Sequence, residues 1–266
     1  MPHHKYIAII LVYRNVDDLK ECVASFQQHI PNCKMIVVNS FYDDKSNALI
    51  KQTAQQLGCD FLSVENKGYG TGNNAGIAYA RKNYTFDYII ISNPDIIIQQ
   101  FDDKQVNPHG ITAPDITTLK GKKQNPLLPW DTHLLFYFAY QGYKRNNRWL
   151  CIITWGINKI LREMFLLYKR IFTGTCKVYG AHGSFLILSQ SALLQLTPLY
   201  DENIFLFYEE LVLAKRAKEL KIPTLFVPKI KILHKEDGSM KLSNFSLNKE
   251  TAKASMYYYE HYVKER

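Results

Sequence analysis

Through its first hundred residues the chain switches repeatedly between short apolar runs and stretches of helical period, and few folds accommodate that alternation. Residues 6–12 (YIAIILV) are wholly apolar, residues 17–29 carry Leu19, Val23 and Phe26 at helical spacing, and 34–38 return to an apolar run. The succession continues with a helix over 46–57 stopped by Gly58, a strand over 60–64, a helix over 70–82 and a strand over 88–91 that leads into Asn93-Pro94-Asp95. Strands separated by helices pair in parallel, with the crossover helices covering the sheet. Open sheets of this kind bind ligands beyond the carboxyl ends of their strands, which is where the chemistry is to be sought.

At 266 residues the chain suits one large α/β domain with an appendage, and 47% apolar with 21% charged residues excludes a disordered or fibrous protein. Residues 99–130 dissolve into Pro, Gly, Asp and Lys, including Gly121-Lys-Lys-Gln, and predict loop. Between Ile157 and Phe172 the apolar positions 157, 160, 161, 164, 165, 168, 171 and 172 predict one helical face, with Lys159, Arg162, Glu163, Lys169 and Arg170 opposite. Residues 178–188 predict more sheet, 209–220 a helix, and 224–227 with 230–233 two short strands. The tyrosine-rich tail (Tyr257, Tyr258, Tyr259, Tyr262) predicts a packed terminal helix. The uncharged run 178–200 is long enough to span a bilayer, but Gly180, His182, Gly183 and Pro198 make it strand plus helix. Five scattered cysteines with no C-x-x-C exclude a disulfide framework and a zinc knuckle and suit a reducing cytosol; the N-terminus has no features of a secretory leader.

Lys and Arg outnumber Asp and Glu by 33 to 24, so an acidic partner is expected: nucleic acid, a phosphate-bearing ligand or an anionic membrane. Most of that excess has one address, since seven basic residues and one acid, Glu163, fall between Tyr143 and Phe172. A basic amphipathic segment with Trp149 and Trp155 suits a membrane interface, and equally a helix packed on the domain core or on a second subunit of a homodimer. No nucleic-acid-binding motif accompanies the charge, so nucleic acid is not expected as a partner.

Four local patterns carry chemistry. Asn93-Pro94-Asp95 presents a carboxylate where the sheet opens; it serves either a divalent cation bridging to phosphate oxygens or an Asn-Pro turn with a capping Asp. Residues 66–76, between a strand and a helix, hold four glycines that let backbone approach a nucleotide or a neighbouring strand, in a spacing that is neither a dinucleotide fingerprint nor a P-loop. Glu209 and Glu210 open a helix after the aromatic run 205–208: apolar walls and the paired carboxylate raise a pKa, whereas the helix N-terminus lowers it. His234 ends a strand, as a ligand or as a satisfied edge residue.

Taken in order, Leu11-Val-Tyr-Arg-Asn15, Val37-Val-Asn-Ser40 with Asp43-Asp-Lys-Ser46, the 66–76 loop, Asn93-Pro-Asp95, Gly180-Ala-His-Gly-Ser-Phe-Leu186, Tyr208-Glu-Glu-Leu-Val-Leu-Ala-Lys-Arg216 and Val227-Pro with His234 resemble glycosyltransferase family 2, in its rhamnosyltransferase-like branch. The resemblance covers most of the chain outside residues 101–177. It implies a GT-A fold, a Rossmann-like, mostly parallel α/β sheet flanked by helices, here with a helical amphipathic insertion. It divides the chain into a nucleotide-sugar-binding half (1–100), the loop and basic insertion (101–177), an acceptor-binding and catalytic half of the same domain (178–240) and a C-terminal helix (241–266).

The resemblance also implies roles. Tyr13, Asn39, Gly68, Asn73, Asn93 and Asp95 would bind the nucleotide-sugar donor, with Asn39 replacing the usual Asp at the base; His182 and Gly183 would meet the acceptor. Asp95 and His234 would hold Mg²⁺ or Mn²⁺. Glu210 stands on the family's catalytic Asp, with Glu209 on the preceding Glu, and Val212 replaces a commonly acidic position. The implied reaction is inverting transfer of a hexose, such as rhamnose, to a lipid-linked or polysaccharide acceptor in cell-surface glycan synthesis, at the inner face of the cell membrane. The departures at Asn39, Val212 and the single Asp95 also suit a non-catalytic nucleotide-sugar-binding or scaffold subunit.

Overall fold

The computed structural model describes residues 1–236 and 247–264. Its N-terminal half follows the expected alternation: β1 (His3–Val12), α1 (Val16–His29), β2 (Lys34–Ser40), α2 (Asp44–Gln56), β3 (Asp60–Val64), α3 (Tyr69–Asn83) and β4 (Thr85–Ser92). The first two helices start on side-chain caps, Asn15 accepting from the Asp18 N–H and Asp43 from the Ser46 N–H. The chain continues through β5 (Ile96–Gln100), β6 (Ile111–Thr118), α4 (His133–Lys144), α5 (Arg148–Ile171), β7 (Cys176–Val178), β8 (Phe185–Ser189), α6 (Gln190–Gln195), α7 (Glu209–Glu219), β9 (Thr224–His234) and α8 (Leu247–Tyr258).

These strands form a nine-stranded sheet in the order β3-β2-β1-β4-β8-β6-β9-β5, with β7 also on β9. The β3-β2-β1-β4 pairings are parallel, while β8 runs antiparallel to both β4 and β6. Alternation along β1 sends Ala8, Ile10 and Val12 to one face, against Leu19, Val23 and Phe26 of α1 and Ile50 of α2. Ile7, Ile9 and Leu11 go to the other, against Ile77 of α3, Leu193 of α6 and Leu213 of α7.

The four glycines after Asn66 belong mostly to a helix. A Cβ on Gly72 would lie 2.5 Å from a methyl of Leu11, and one on Gly76 2.5 Å from Ile9 and 2.8 Å from Val38. Of the two uses read from the sequence, close approach to neighbouring strands is the one these two glycines serve.

Residues 99–130 are less irregular than expected, for they contain β6, an interior strand. Pro114 hid it, because proline in a run argues against a central strand. The structure accommodates it: β8 pairs with β6 only at Ile111 and Thr112, and the ladder to β9 shifts register between Pro114 and Asp115. That shift also makes one bulged strand, β9, of the two short strands expected there.

The helical pair α4–α5 and α8 pack beside the sheet around Phe136, Tyr208, Leu211, Val212 and Tyr258. The expected face assignment along α5 is corrected. Leu161, Phe165 and Arg162 turn inward with Thr154 and Asn158, Phe165 meeting Trp130 and Phe226 at ring separations of 5.8 and 6.4 Å. Lys169 donates to the Gly174 carbonyl at 2.7 Å, so neither Arg162 nor Lys169 joins the outer cationic group. The tail helix begins at Leu247, and residues 241–246 of the expected C-terminal helix lie outside the described residues. No helix is long and apolar enough to cross a membrane, among the described residues.

Candidate active site

A cleft of 390 Å³ opens at the carboxyl ends of β1, β2 and β4. Because β8 runs antiparallel to β4, the loop entering β8 reaches the same rim: Ser92 pairs with Phe185, and the Asn93 N–H donates to the Ser184 carbonyl at 2.9 Å. The lining therefore combines Tyr13, Gly68, Asn93 and Asp95 with His182, Gly183, Glu209, Glu210 and His234. Nine of the eleven residues singled out in the sequence thus share one cavity. Asn39 and Asn73 are not among its lining residues: Asn39 is buried on β2 and donates to Asn47 at 2.8 Å, and Asn73 is buried within α3 and donates to the Tyr69 carbonyl at 3.0 Å.

The two acids are delivered by a strained turn. Phe207 and Tyr208 both adopt left-handed backbone conformations (φ 71° and 68°), which bulky residues avoid unless the surroundings hold them. Here Tyr208 is locked between Trp155 of α5 and Tyr258 of α8, and its carbonyl accepts the N–H groups of Leu211 and Val212. Glu209 is buried, and its Oε1 has no hydrogen-bond partner. Glu210 is more open, and its Oε1 accepts the Gly183 N–H at 3.2 Å. That approach requires glycine, since a Cβ at position 183 would stand 2.8 Å from the same oxygen. Burial pushes the pKa of both acids up, outweighing the helix N-terminus, and the Glu210 charge pushes Glu209 further. The pair titrates jointly, with Glu209 the deeper store of the proton.

In the same cleft, Asp95 and His234 approach through Oδ1 and Nε2 at 3.2 Å, and Asp95 Oδ1 is buried without a hydrogen-bond partner. Gln124 sets the imidazole. Its Nε2 donates to Glu236 Oε1 at 2.8 Å, so its Oε1 is turned to His234 Nδ1 at 2.7 Å and accepts a hydrogen there. The Nε2 lone pair is then left facing the unpartnered carboxylate oxygen, and two such atoms need a proton or a cation between them. A carboxylate with an imidazole would suit Mn²⁺ or Mg²⁺ as two of its donors. Among the described residues no three His, Cys, Asp or Glu side chains form a ready-made cage. The protein thus offers two donors.

His182 lines the same cleft. The Ser184 N–H donates to its Nδ1 at 3.2 Å, so the neutral ring carries its hydrogen on Nε2. Burial, reinforced by the neighbouring His234, pushes its pKa down to about 3. Nearby cleft residues had no individual signal in the sequence. Gln124 sits in a stretch that looks like loop, whereas Asn66, Phe205 and Phe207 lie inside the motifs already quoted.

A parallel half-sheet, a carboxylate pair at a helix start and an Asp–His pair meet in one cleft, on a fold shared with GT-A glycosyltransferases. Residues 7–194 match the family model for glycosyl transferase family 2, and the chain belongs to that family. It is 23% identical over 234 residues to the rhamnosyltransferase WbbL of Escherichia coli K12, covering 85% of this chain and 81% of that one. It is 24% identical over 226 residues to the low-salt glycan biosynthesis hexosyltransferase Agl10 of Haloferax volcanii, covering 80% of this chain and 62% of that one. These relatives agree with the rhamnosyltransferase-like branch that the motif order resembles. Among solved structures, GalNAc-T7 with UDP, GalNAc and Mn²⁺ superposes with a TM-score of 0.61 at 13% identity, over 96% of this chain and 48% of that one. The Staphylococcus aureus TarS fragment 1–349 with UDP-GlcNAc superposes with a TM-score of 0.55 at 10% identity, over 91% and 62%.

Proposed function

We propose that this protein transfers a hexose, rhamnose among the candidates, from a nucleoside-diphosphate donor to an acceptor hydroxyl with inversion, as a step of cell-surface glycan synthesis. The acceptor is a lipid-linked or polysaccharide glycan, met at the inner face of the cell membrane by a cytoplasmic enzyme. The observation that carries the reading is the placing of a raised-pKa carboxylate, Glu210, and the Asp95–His234 pair in one cleft. Residues 1–100 form the donor half and residues 178–240 the acceptor half in this reading, with 101–177 inserted between them.

Glu210 removes the proton from the acceptor hydroxyl as that oxygen attacks the anomeric carbon; a pKa lifted by burial makes it a stronger base than a solvated glutamate. Gly183 holds the Glu210 carboxylate through its N–H, and Glu209 keeps the pair from carrying two charges. Tyr13 stands at the first strand end for the nucleotide base, Asn39 and Asn73 support the donor half from within, and Gly68 and Asn93 border the donor. His182, a neutral Nε2–H donor, serves the acceptor with Gly183. Asp95 and His234 would hold Mg²⁺ or Mn²⁺, which when bound supplies positive charge to the departing diphosphate. Relatives that are a rhamnosyltransferase and a hexosyltransferase by name support the substrate class.

The test is transfer from a panel of nucleotide sugars by wild type and Glu210→Gln. The variant is expected to lose transfer while keeping donor-induced thermal stabilisation. Undiminished turnover would remove Glu210 as the base. A chelator is expected to stop the reaction and Mn²⁺ to restore it; indifference would remove the metal.

A further inference from the structure

Helix α5 covers one face against the protein and leaves a second apolar face open. Its inward face mixes polar Thr154, Asn158 and Arg162, one turn apart, with apolar Trp155, Leu161 and Phe165, and Asn158 accepts from Thr132 at 3.1 Å. Its outward face is apolar. At ~100° per residue, Trp149, Ile153, Ile160, Met164, Leu167 and Ile171 fall within an arc of roughly 60°, and all are exposed, Trp149 and Ile171 by 74% and 76%. Twenty-four residues at ~1.5 Å each make a ridge about 36 Å long, and α4 extends it sideways with exposed Leu134 and Phe138. A monomer rarely leaves so long a contiguous apolar strip in water.

The charges beside the strip identify what covers it. Arg148, Lys159 and Arg170 are exposed on one flank of α5, and exposed Lys144 and Arg145 precede it at the α4–α5 turn. Glu163 is the only acid from Tyr143 to Phe172, and it lies beside Arg162 at 3.6 Å. A strong excess of cations along an apolar strip matches headgroup phosphates above acyl chains. A self-complementary protein contact would need acids to answer them.

We propose that the outer face of α5, with the edge of α4, seats this protein in the interface of an anionic lipid bilayer, the apolar strip at acyl depth and Arg148, Lys159 and Arg170 among the headgroups. This deepens the membrane-face reading above by naming the surface, and it stands or falls by lipid binding, separately from sugar transfer. The helix also ties the bilayer to chemistry: its inner Trp155 packs on Tyr208, which precedes the two acids, and the charge of its inner Arg162 is felt at His182.

The full chain is sedimented with phosphatidylcholine vesicles and with vesicles containing phosphatidylglycerol. It is expected to pellet with the anionic vesicles, less so at high salt. Ile160→Glu and Leu167→Glu are each expected to weaken that partitioning roughly tenfold or more; charge reversal at Arg148, Lys159 and Arg170 is expected to abolish the preference for anionic lipid. All these positions are exposed, and an unchanged thermal midpoint certifies the fold. Absence of pelleting, or pelleting indifferent to both sets of variants, overturns the proposal. So does a dimer, seen by light scattering, that Ile160→Glu dissociates without any vesicle binding in wild type; the occupant is then a second copy. Loss of transfer with vesicle binding intact would strike the enzymatic reading and leave this one standing.

Discussion

Replacing Gly183 with alanine isolates the seat of the proposed base. The new Cβ would stand 2.8 Å from Glu210 Oε1, 3.0 Å from its Cγ and 3.2 Å from its Cδ. Comfortable contact begins near ~3.5 Å, so the carboxylate must retreat by about 0.5–0.7 Å. The 3.2 Å bond from the Gly183 N–H is then lost or bent. A misplacement of ~1 Å can cost about a hundredfold in rate, so this displacement should lower kcat about tenfold or more. The obstacle is a side-chain end that can rotate away, and the substitution should cost within about 1 kcal/mol of stability. Initial rates at saturating donor, with a thermal midpoint beside them, measure both quantities. In a Glu210→Gln background the alanine should cause little further loss, because both changes disable one group. A kcat within about twofold of wild type in a folded Gly183→Ala protein would refute the seating of Glu210 by this glycine.

Glu209→Gln should stabilise the protein at neutral pH. The folded-state pKa lies above the ordinary 4.5, so the native chain holds more protons than the unfolded one; stability is greatest below that value and declines as pH rises toward the folded pKa. Thermal melts from pH 4.5 to 8 should show the advantage of the variant growing with pH. Gln124→Leu removes the acceptor that sets His234 and should weaken Mn²⁺ binding about 10–100-fold, measured by calorimetry in the presence of UDP. Gly68→Ala combines φ 112° with overlap of the Phe205 carbonyl and should destabilise by more than about 1 kcal/mol in urea; Gly58→Ala, at φ 73° with open space around it, should cost less.

The half-sheet β3-β2-β1-β4 was legible because apolar runs and helical periods alternate there without interruption. What decided the rest lies outside local pattern. Periodicity located a helix over 157–172 and its two faces in outline, yet Arg162 turned out to face inward, because a hydrophobic stripe does not say which of its sides meets the protein. Gln124 was lost among lysines and glycine, since its role depends on a strand, β9, more than a hundred residues away. The turn at Phe207 and Tyr208 carries no glycine to announce its left-handed backbone; packing from α5 and α8 imposes it. Motif order, by contrast, brought nine of eleven singled-out residues to one cleft, with Asn39 and Asn73 behind its wall.

Strand β9 grips both ends of the long excursion between β6 and β7: Thr118 pairs with His234, and Cys176 with Phe226. Whatever the chain does between those anchor points, it leaves and rejoins the sheet in a fixed register. Close to the first anchor, Gln124 is committed to the His234 imidazole and Asn125 to the cleft backbone, accepting the His182 N–H at 2.7 Å. The helices farther along are tethered by packing and, at α4, by the hydrogen bond from the Tyr140 hydroxyl to Glu260 at 2.9 Å. Evolution can therefore treat α4 and α5 as an exchangeable cassette, replaced or resized to suit another surface while the cleft residues stay in register, provided that a new tenant still braces Tyr208.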